Sequence, residues 1–214
     1  MRIYPRIFAT LPSPKKQDKT LMQGNSLEAL WRNRGFIAES VKRDFHVRYR
    51  NSVLGSTWAL LNPLALIVVY TVIFSNVMHT KLPTVTDHFG YSIYLCSGVF
   101  AWTLFTETVL RCQTVFIENA NLLKKLAFPR LSLPIIVCLN ALIGFTILSM
   151  LFVVFLLVTG SFPGWPTLFA LPLLMLQIIF SLALGVGLGI LNVFFRDVGH
   201  GFNIIMQFWF WLTP

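Results

Sequence analysis

Charged side chains are scarce in this sequence. Lys, Arg, Asp and Glu make up 12% of the 214 residues, whereas a soluble domain carries about 25%. With 56% hydrophobic residues, 20 Phe and 6 Trp, and a mean hydropathy of +0.71, too little polar surface remains to cover a water-soluble domain. Soluble globular, disordered and collagen-like chains are excluded, and an integral membrane protein is left. Cysteine is sparse as well. Cys96, Cys112 and Cys138 lie in or beside apolar runs, and an odd count in such places gives no disulfide framework, so all three are read as reduced packing residues. Residues 1 to 25 lack an apolar core of about 7 to 15 residues followed by a small-residue cleavage site, so no secretory signal is expected.

Reactive groups are equally thin. His46, His79, His88 and His200 are scattered along the chain with no carboxylates at metal-ligand spacing. There is no Asp-rich motif, no Ser/His/Asp set on one face and no phosphate-binding loop. No catalytic residue, metal or cofactor of the chain's own is therefore expected. Gly185, Gly187 and Gly189 sit inside an apolar run with no Lys following, so Ser181, Gly185 and Gly189, at a spacing of four, read as a small-residue stripe for close helix packing. Glu107 is the one ionisable residue inside a predicted span, and Arg111 four residues later is its expected ion-pair partner. A proton- or sodium-driven transporter would carry more buried charge than this, which places the energy source for any transport outside the chain.

What the sequence does have is long apolar runs. Crossing about 30 Å of hydrocarbon at 1.5 Å per residue takes about 20 residues. Thr57 to Met78, Tyr91 to Leu110, Leu131 to Val158 and Leu168 to Phe195 satisfy this. A fifth run, 202 to 214, is too short and is read as an incomplete span. The predicted fold is thus an all-α integral membrane bundle with four complete spans and a truncated fifth.

The net charge of +9 invites a nucleic-acid reading, but its distribution does not support one. Eleven of the 17 Lys and Arg precede residue 51, four lie between Arg111 and Arg130, and the others are Lys81 and Arg196. By the positive-inside rule, the N-terminus and the loops at 111 to 130 and 196 to 201 face the cytoplasm, and 79 to 90 and 159 to 167 face outward.

Residues 1 to 25 read as a flexible cytoplasmic segment and 26 to 56 as an amphipathic helix lying on the inner leaflet. Ser26 is its N-cap, and Leu27, Leu30, Trp31, Ile37, Ala38, Val41, Phe45 and Tyr49 form an apolar stripe, with Glu28, Arg32, Glu39, Arg43, Asp44 and Arg50 opposite. Residues 57 to 214 form the membrane domain. Asn62, Asn140, Gln177 and Asn192 are read as interhelical hydrogen-bonding groups. Aromatic residues of the first two spans, Tyr70, Phe74, Trp102 and Phe105 among them, offer either ordinary packing or a surface on which sugar rings stack. In the inner loop, Thr114 to Leu126 reads as a short helix before the Phe128-Pro129 stop, suited to docking a cytosolic partner.

Three stretches carry a family resemblance. Arg43 to Arg50, running on through Ser52-Val53-Leu54-Gly55 and Trp58 to Leu61-Asn62-Pro63, is the first. Asn119-Ala120-Asn121-Leu122-Leu123-Lys124-Lys125 with Phe128-Pro129-Arg130 and Leu133-Pro134 is the second, and Phe194 to Val198 the third. In this order they resemble the permease subunits of type 2 ABC exporters that move O-antigen, capsule or teichoic acid glycans. The resemblance implies a six-span half-transporter in the bacterial inner membrane, working as a homodimer with two cytosolic ATPase subunits that hold the ATP and Mg2+. It also implies that Glu118, Asn119, Asn121, Leu122, Lys124 and Lys125 belong to a segment docking on the ATPase. Arg43, Arg48 and Arg50 would then sit where a pyrophosphate-linked lipid head group enters, with Tyr70, Phe74, Trp102 and Phe105 along the glycan path. Two alternatives stay open at this level: a type 2 ABC drug or lipid exporter, which shares the architecture, and a membrane glycolipid-processing enzyme, which would need clustered inner-face carboxylates or histidines.

Overall fold

The computed structural model describes residues 34–49, 57–73, 90–125, 130–162 and 164–213. The N-terminal segment, the start of the predicted interface helix with Ser26, Leu27, Leu30, Trp31 and Arg32, and Arg50 lie outside the described residues, as do Phe74 with the end of the first predicted span and most of the first outer loop.

Among the described residues the chain is helical throughout. The helices are α1 (Arg34–Tyr49), α2 (Trp58–Val72), α3 (Gly90–Glu118), α4 (Ala120–Lys125), α5 (Ser132–Thr159), α6 (Ala170–Phe194) and α7 (Asp197–Leu212), with a 3-10 turn at Trp165–Phe169 leading into α6. Gly90–Glu118, Ser132–Thr159 and Thr167–Phe194 are long and apolar enough to cross a membrane. At 1.5 Å per residue each exceeds about 40 Å, more than the hydrocarbon thickness. The described part of α2 is a shorter apolar helix. Much of the apolar surface points outward: Met150 and Leu173 are each 68% exposed. In water that would be untenable, and in lipid it is the expected outer face of a bundle.

The core is assembled around α3. Ile67 of α2 and Leu148 of α5 pack on Cys96 and Phe100 toward the Gly90 end. Phe202 and Met206 of α7 meet Phe105 and Val109 in the middle. Leu133 and Val137 of α5 meet Cys112 and Val115 toward the Glu118 end. The small-residue stripe sets the closest approach. Ser181, Gly185 and Gly189 are buried on α6, and a Cβ on Gly185 would come within 2.7 Å of Cys112 Cβ, as would one on Gly189 of the Cys112 carbonyl. Only glycine lets the two backbones lie this near.

Helix ends follow local chemistry, and two boundaries differ from the sequence expectation. Gly160, at φ 71°, ends α5 in the left-handed conformation, with the Ser161 amide reaching back to the Leu156 carbonyl at 3.1 Å. The inner loop expected at 196 to 201 is instead helix, since α7 begins at Asp197, whose carboxylate suits a helix N-terminus. The segment expected as a separate helix from Thr114 is, as far as Glu118, the continuation of α3 beyond Leu110. Hydropathy marks where lipid contact ends, not where the backbone hydrogen bonding ends, and Val115 keeps the helix packed on α5 past that point.

Candidate functional site

One end of the bundle collects the polar chemistry. There α3 ends, α5 begins, α6 ends and α7 begins, with Arg111, Arg130 and Arg196 around them. The path from α3 into α4 is nearly unbroken. The Asn119 amide bonds the Val115 carbonyl at 3.1 Å, and the Leu123 amide bonds the Asn119 carbonyl at 3.0 Å. Asn119 Nδ2 also donates to Val115 O at 2.9 Å, a side-chain competitor that marks the single-residue turn between the two helices. Glu118, Asn121 and Lys124 are exposed on this tip, while Asn119 is half-buried. Leu122 and Lys125 belong to α4 by backbone, and their side chains lie outside the described set.

α1 packs on the first turns of α5 through Ile37 and Val41 against Ile136. This bears on the apolar stripe read from the sequence: Ile37 and Val41 are buried and Phe45 half-buried, but Ala38 is exposed. Asp44, assigned to the solvated face, is half-buried and accepts a hydrogen bond from Asn140 Nδ2 at 3.4 Å. The neighbouring span supplies a partner that helical periodicity within α1 cannot reveal. Burial pushes the Asp44 carboxyl above its ordinary value, and the guanidinium groups of Arg43 and Arg111 pull it back in part. Arg43 is exposed and lines a cleft of about 140 Å³ shared with Arg111, Glu118 and Asn119. One head-group candidate is thus brought beside two coupling candidates. Arg48 lies in α1 by backbone, its side chain outside the described set.

Behind Asp44 opens a cavity of about 490 Å³ between α1, α2, α3 and α5, lined by Asn62, Thr103, Glu107, Arg111 and Asn140 among others. The expected ion pair is present, with Arg111 Nη1 and Glu107 Oε1 3.4 Å apart.

Three of the four polar residues assigned to interhelical bonding, Asn140, Gln177 and Asn192, bond across helices, whereas Asn62 is exposed on the cavity behind Asp44. Gln177 Nε2 donates to the Ala101 carbonyl at 2.6 Å. Asn192 Nδ2 donates to the Gln113 carbonyl at 3.0 Å, while Asn192 Oδ1 accepts the Gly199 amide at 3.1 Å. Gln113 Nε2 then donates to the Gly199 carbonyl at 3.0 Å. The result is a closed clasp joining α3, α6 and α7 at the polar end.

The aromatic candidates separate. Tyr70 packs with the Ile67, Cys96 and Phe100 cluster. Trp102 and Phe105 meet Phe180 of α6 and Trp209 and Phe210 of α7, with centroid distances of 5.7 Å for Trp102–Phe210 and 5.9 Å for the stacked Phe105–Phe180 pair. Phe105 is 5% exposed, so it presents no face to a ligand. Trp102 does: with Thr106, Asn203, Gln207, Phe210 and Trp211 it lines an open groove of about 530 Å³ between α3 and α7. Asn203 and Gln207 escaped the sequence reading because their run was treated only as an incomplete span. Their i,i+4 spacing beside aromatic residues was the available signal.

The sequence profile of ABC-2 type transporters matches residues 37–214. Two proteins of Klebsiella pneumoniae, each named O-antigen export system permease protein RfbA, are 32% and 31% identical over 173 residues, covering 80% of this chain and 64% of theirs. The RfbA permease of Myxococcus xanthus is 30% identical over 185 residues, 86% of this chain and 69% of its own length. The chain thus spans about two thirds of the length of these curated relatives, and the family profile takes in most of α1, the α3–α4 tip and the Asn192 clasp. It belongs to the ABC-2 type transporter family.

Proposed function

We propose that the chain is the membrane part of an ATP-driven exporter that moves a polysaccharide or lipid-linked glycan, of the O-antigen type, across the bacterial cytoplasmic membrane. The observation that carries this reading is the family match combined with relatives named as O-antigen export permeases. The N-terminus and the Arg111 end face the cytoplasm, in line with the basic residues gathered there. Two copies pair, and each engages a cytosolic ATPase that holds the ATP and Mg2+.

The α3–α4 tip is the docking element, with Glu118, Asn119, Asn121, Leu122, Lys124 and Lys125 at the contact. Its support is mechanical. α3 runs from the far side of the bundle to the tip without a break, so a push there moves a whole span. The clasp at Gln113, Asn192 and Gly199 passes that movement on to α6 and α7. Arg43, Arg48 and Arg50 receive the phosphates of the lipid carrier. The groove at Trp102, with Asn203 and Gln207 added, has the mix of aromatic faces and amides that sugars favour. Phe105 packs on Trp102 behind the groove, whereas Tyr70, in the cluster of Ile67 and Phe100, does not line it.

The test is co-purification. A tagged chain solubilised in mild detergent should carry a cytosolic ATPase with it, and replacing Glu118 and Lys125 together by Ala should release that ATPase while leaving membrane insertion intact. Undiminished co-purification would remove the docking role. Absence of any ATPase with the unaltered chain would remove the ABC reading itself.

A further inference from the structure

We infer that the groove between α1 and the first half of α5 is a binding site for one anionic phospholipid of the membrane leaflet at the polar end. The groove measures about 930 Å³ and is open along one side. On α1, Arg34, Lys42 and His46 fall at i, i+8 and i+12, so they form one inclined ridge beside the buried row of Ile37 and Val41. Facing them on α5 is an apolar wall that includes Leu139, Leu142 and Ile143. From Ile135 to Thr146 this wall runs about 16 Å, close to half of a hydrocarbon core about 30 Å thick. Its length is therefore that of one leaflet's acyl chain.

Charge sign separates this groove from its neighbours. The cavity behind Asp44 and the cleft at Arg43 each contain carboxylates, Asp44 and Glu107 in one, Asp44 and Glu118 in the other. Among the described residues no Asp or Glu lines the groove of Arg34, Lys42 and His46. An apolar wall as long as one acyl chain under a rim of a single positive sign is complementary to a phosphate carrying a lipid tail, and a zwitterionic lipid gains less from it. Bound there, the lipid ties α1 to α5 beside the Asp44–Asn140 contact. The inference needs only a membrane and stands apart from the transport reading.

The experiment uses the full-length protein, delipidated in detergent, with phosphatidylglycerol, phosphatidylethanolamine or a polyprenyl phosphate added while the unfolding temperature is followed. Phosphatidylglycerol should raise that temperature at lower concentration than either other lipid. Arg34→Gln with Lys42→Gln should shift its midpoint upward by roughly 25-fold, about fivefold per cation near an anionic lipid, read as the rise above the variant's own lipid-free unfolding temperature. Leu139→Trp, which fills the groove without touching the cations, should abolish the phosphatidylglycerol effect. Equal response to the two phospholipids, or an unshifted midpoint in the double variant, would overturn the site. Tighter binding of the polyprenyl phosphate through the same residues would reassign it to a carrier lipid. An altered oligomeric state in Leu139→Trp with phosphatidylglycerol binding intact would give the groove to a second copy instead.

Discussion

Asn192 bonds with both faces of its amide, donating to the Gln113 carbonyl at 3.0 Å and accepting the Gly199 amide at 3.1 Å. It is 4% exposed. A single side chain thereby fixes the end of α6 to α3 and to the first turn of α7, with only Phe195 and Arg196 between the two helices it joins. Asn192→Ala removes both bonds, leaving the Gln113 carbonyl with only its place in the α3 helix ladder and the first-turn Gly199 amide without the acceptor it now has. The expected loss is about 1–3 kcal/mol, read as a lowered unfolding temperature in detergent. An unchanged temperature would show that the clasp carries no stability.

The α6 glycines make a paired prediction. At Gly185 a new Cβ meets Cys112 Cβ at 2.7 Å, whereas at Gly187 it meets nothing within 4 Å. Gly185→Ala must part α6 from α3 and should destabilise by about 1–3 kcal/mol. Gly187→Ala should be neutral or stabilise by up to about 1 kcal/mol through helix propensity. Equal effects in thermal unfolding would mean that helix propensity, not contact with α3, governs both sites.

Asp44 gives a pH dependence. Its carboxyl is held above the ordinary value of 3.8, chiefly by burial, despite Arg43 and Arg111. The folded protein therefore keeps this proton more tightly than the unfolded chain, and stability falls as pH rises from the unfolded value through the folded one. Asp44→Asn keeps an acceptor for Asn140 and removes the titration. As pH rises above the ordinary value of 3.8, the wild-type unfolding temperature should drop relative to that of the variant. Parallel curves would contradict the burial of this carboxyl.

The proposed glycan role of the groove at Trp102 can be tested apart from packing. Asn203 and Gln207 are exposed on α7, so replacing both by Ala should leave stability within about 0.5 kcal/mol and reduce glycan export several-fold. Trp102→Ala should lower both, since Trp102 also packs on Phe105, Trp209 and Phe210. Normal export in the Asn203/Gln207 variant would take the glycan path elsewhere.

The spans were legible because lipid solvation is written into composition: twenty apolar residues admit few other fates. The Ser181, Gly185 and Gly189 stripe and the Glu107–Arg111 pair were also readable, since both depend on spacing within one helix. What stayed hidden depends on which helix lies alongside. Asp44 looked solvent-facing until α5 brought Asn140 to it, and Asn192 looked like any polar residue in a span until it met Gln113 and Gly199. The short helix of the inner loop was legible, but the continuity of Thr114 to Glu118 with α3 was not, because hydropathy ends at Leu110 while the helix continues to Glu118. Trp102 and Phe105 looked alike in sequence, yet packing by Phe180 and Trp209 buries one and leaves the other on a groove.

Deleting the gene tests the central claim most directly, with surface polysaccharide and lipid-linked glycan inside the cell measured side by side. Loss at the surface with accumulation inside, restored by the full-length gene, is the predicted result. An unchanged surface with no accumulation would contradict assignment of the chain to glycan export.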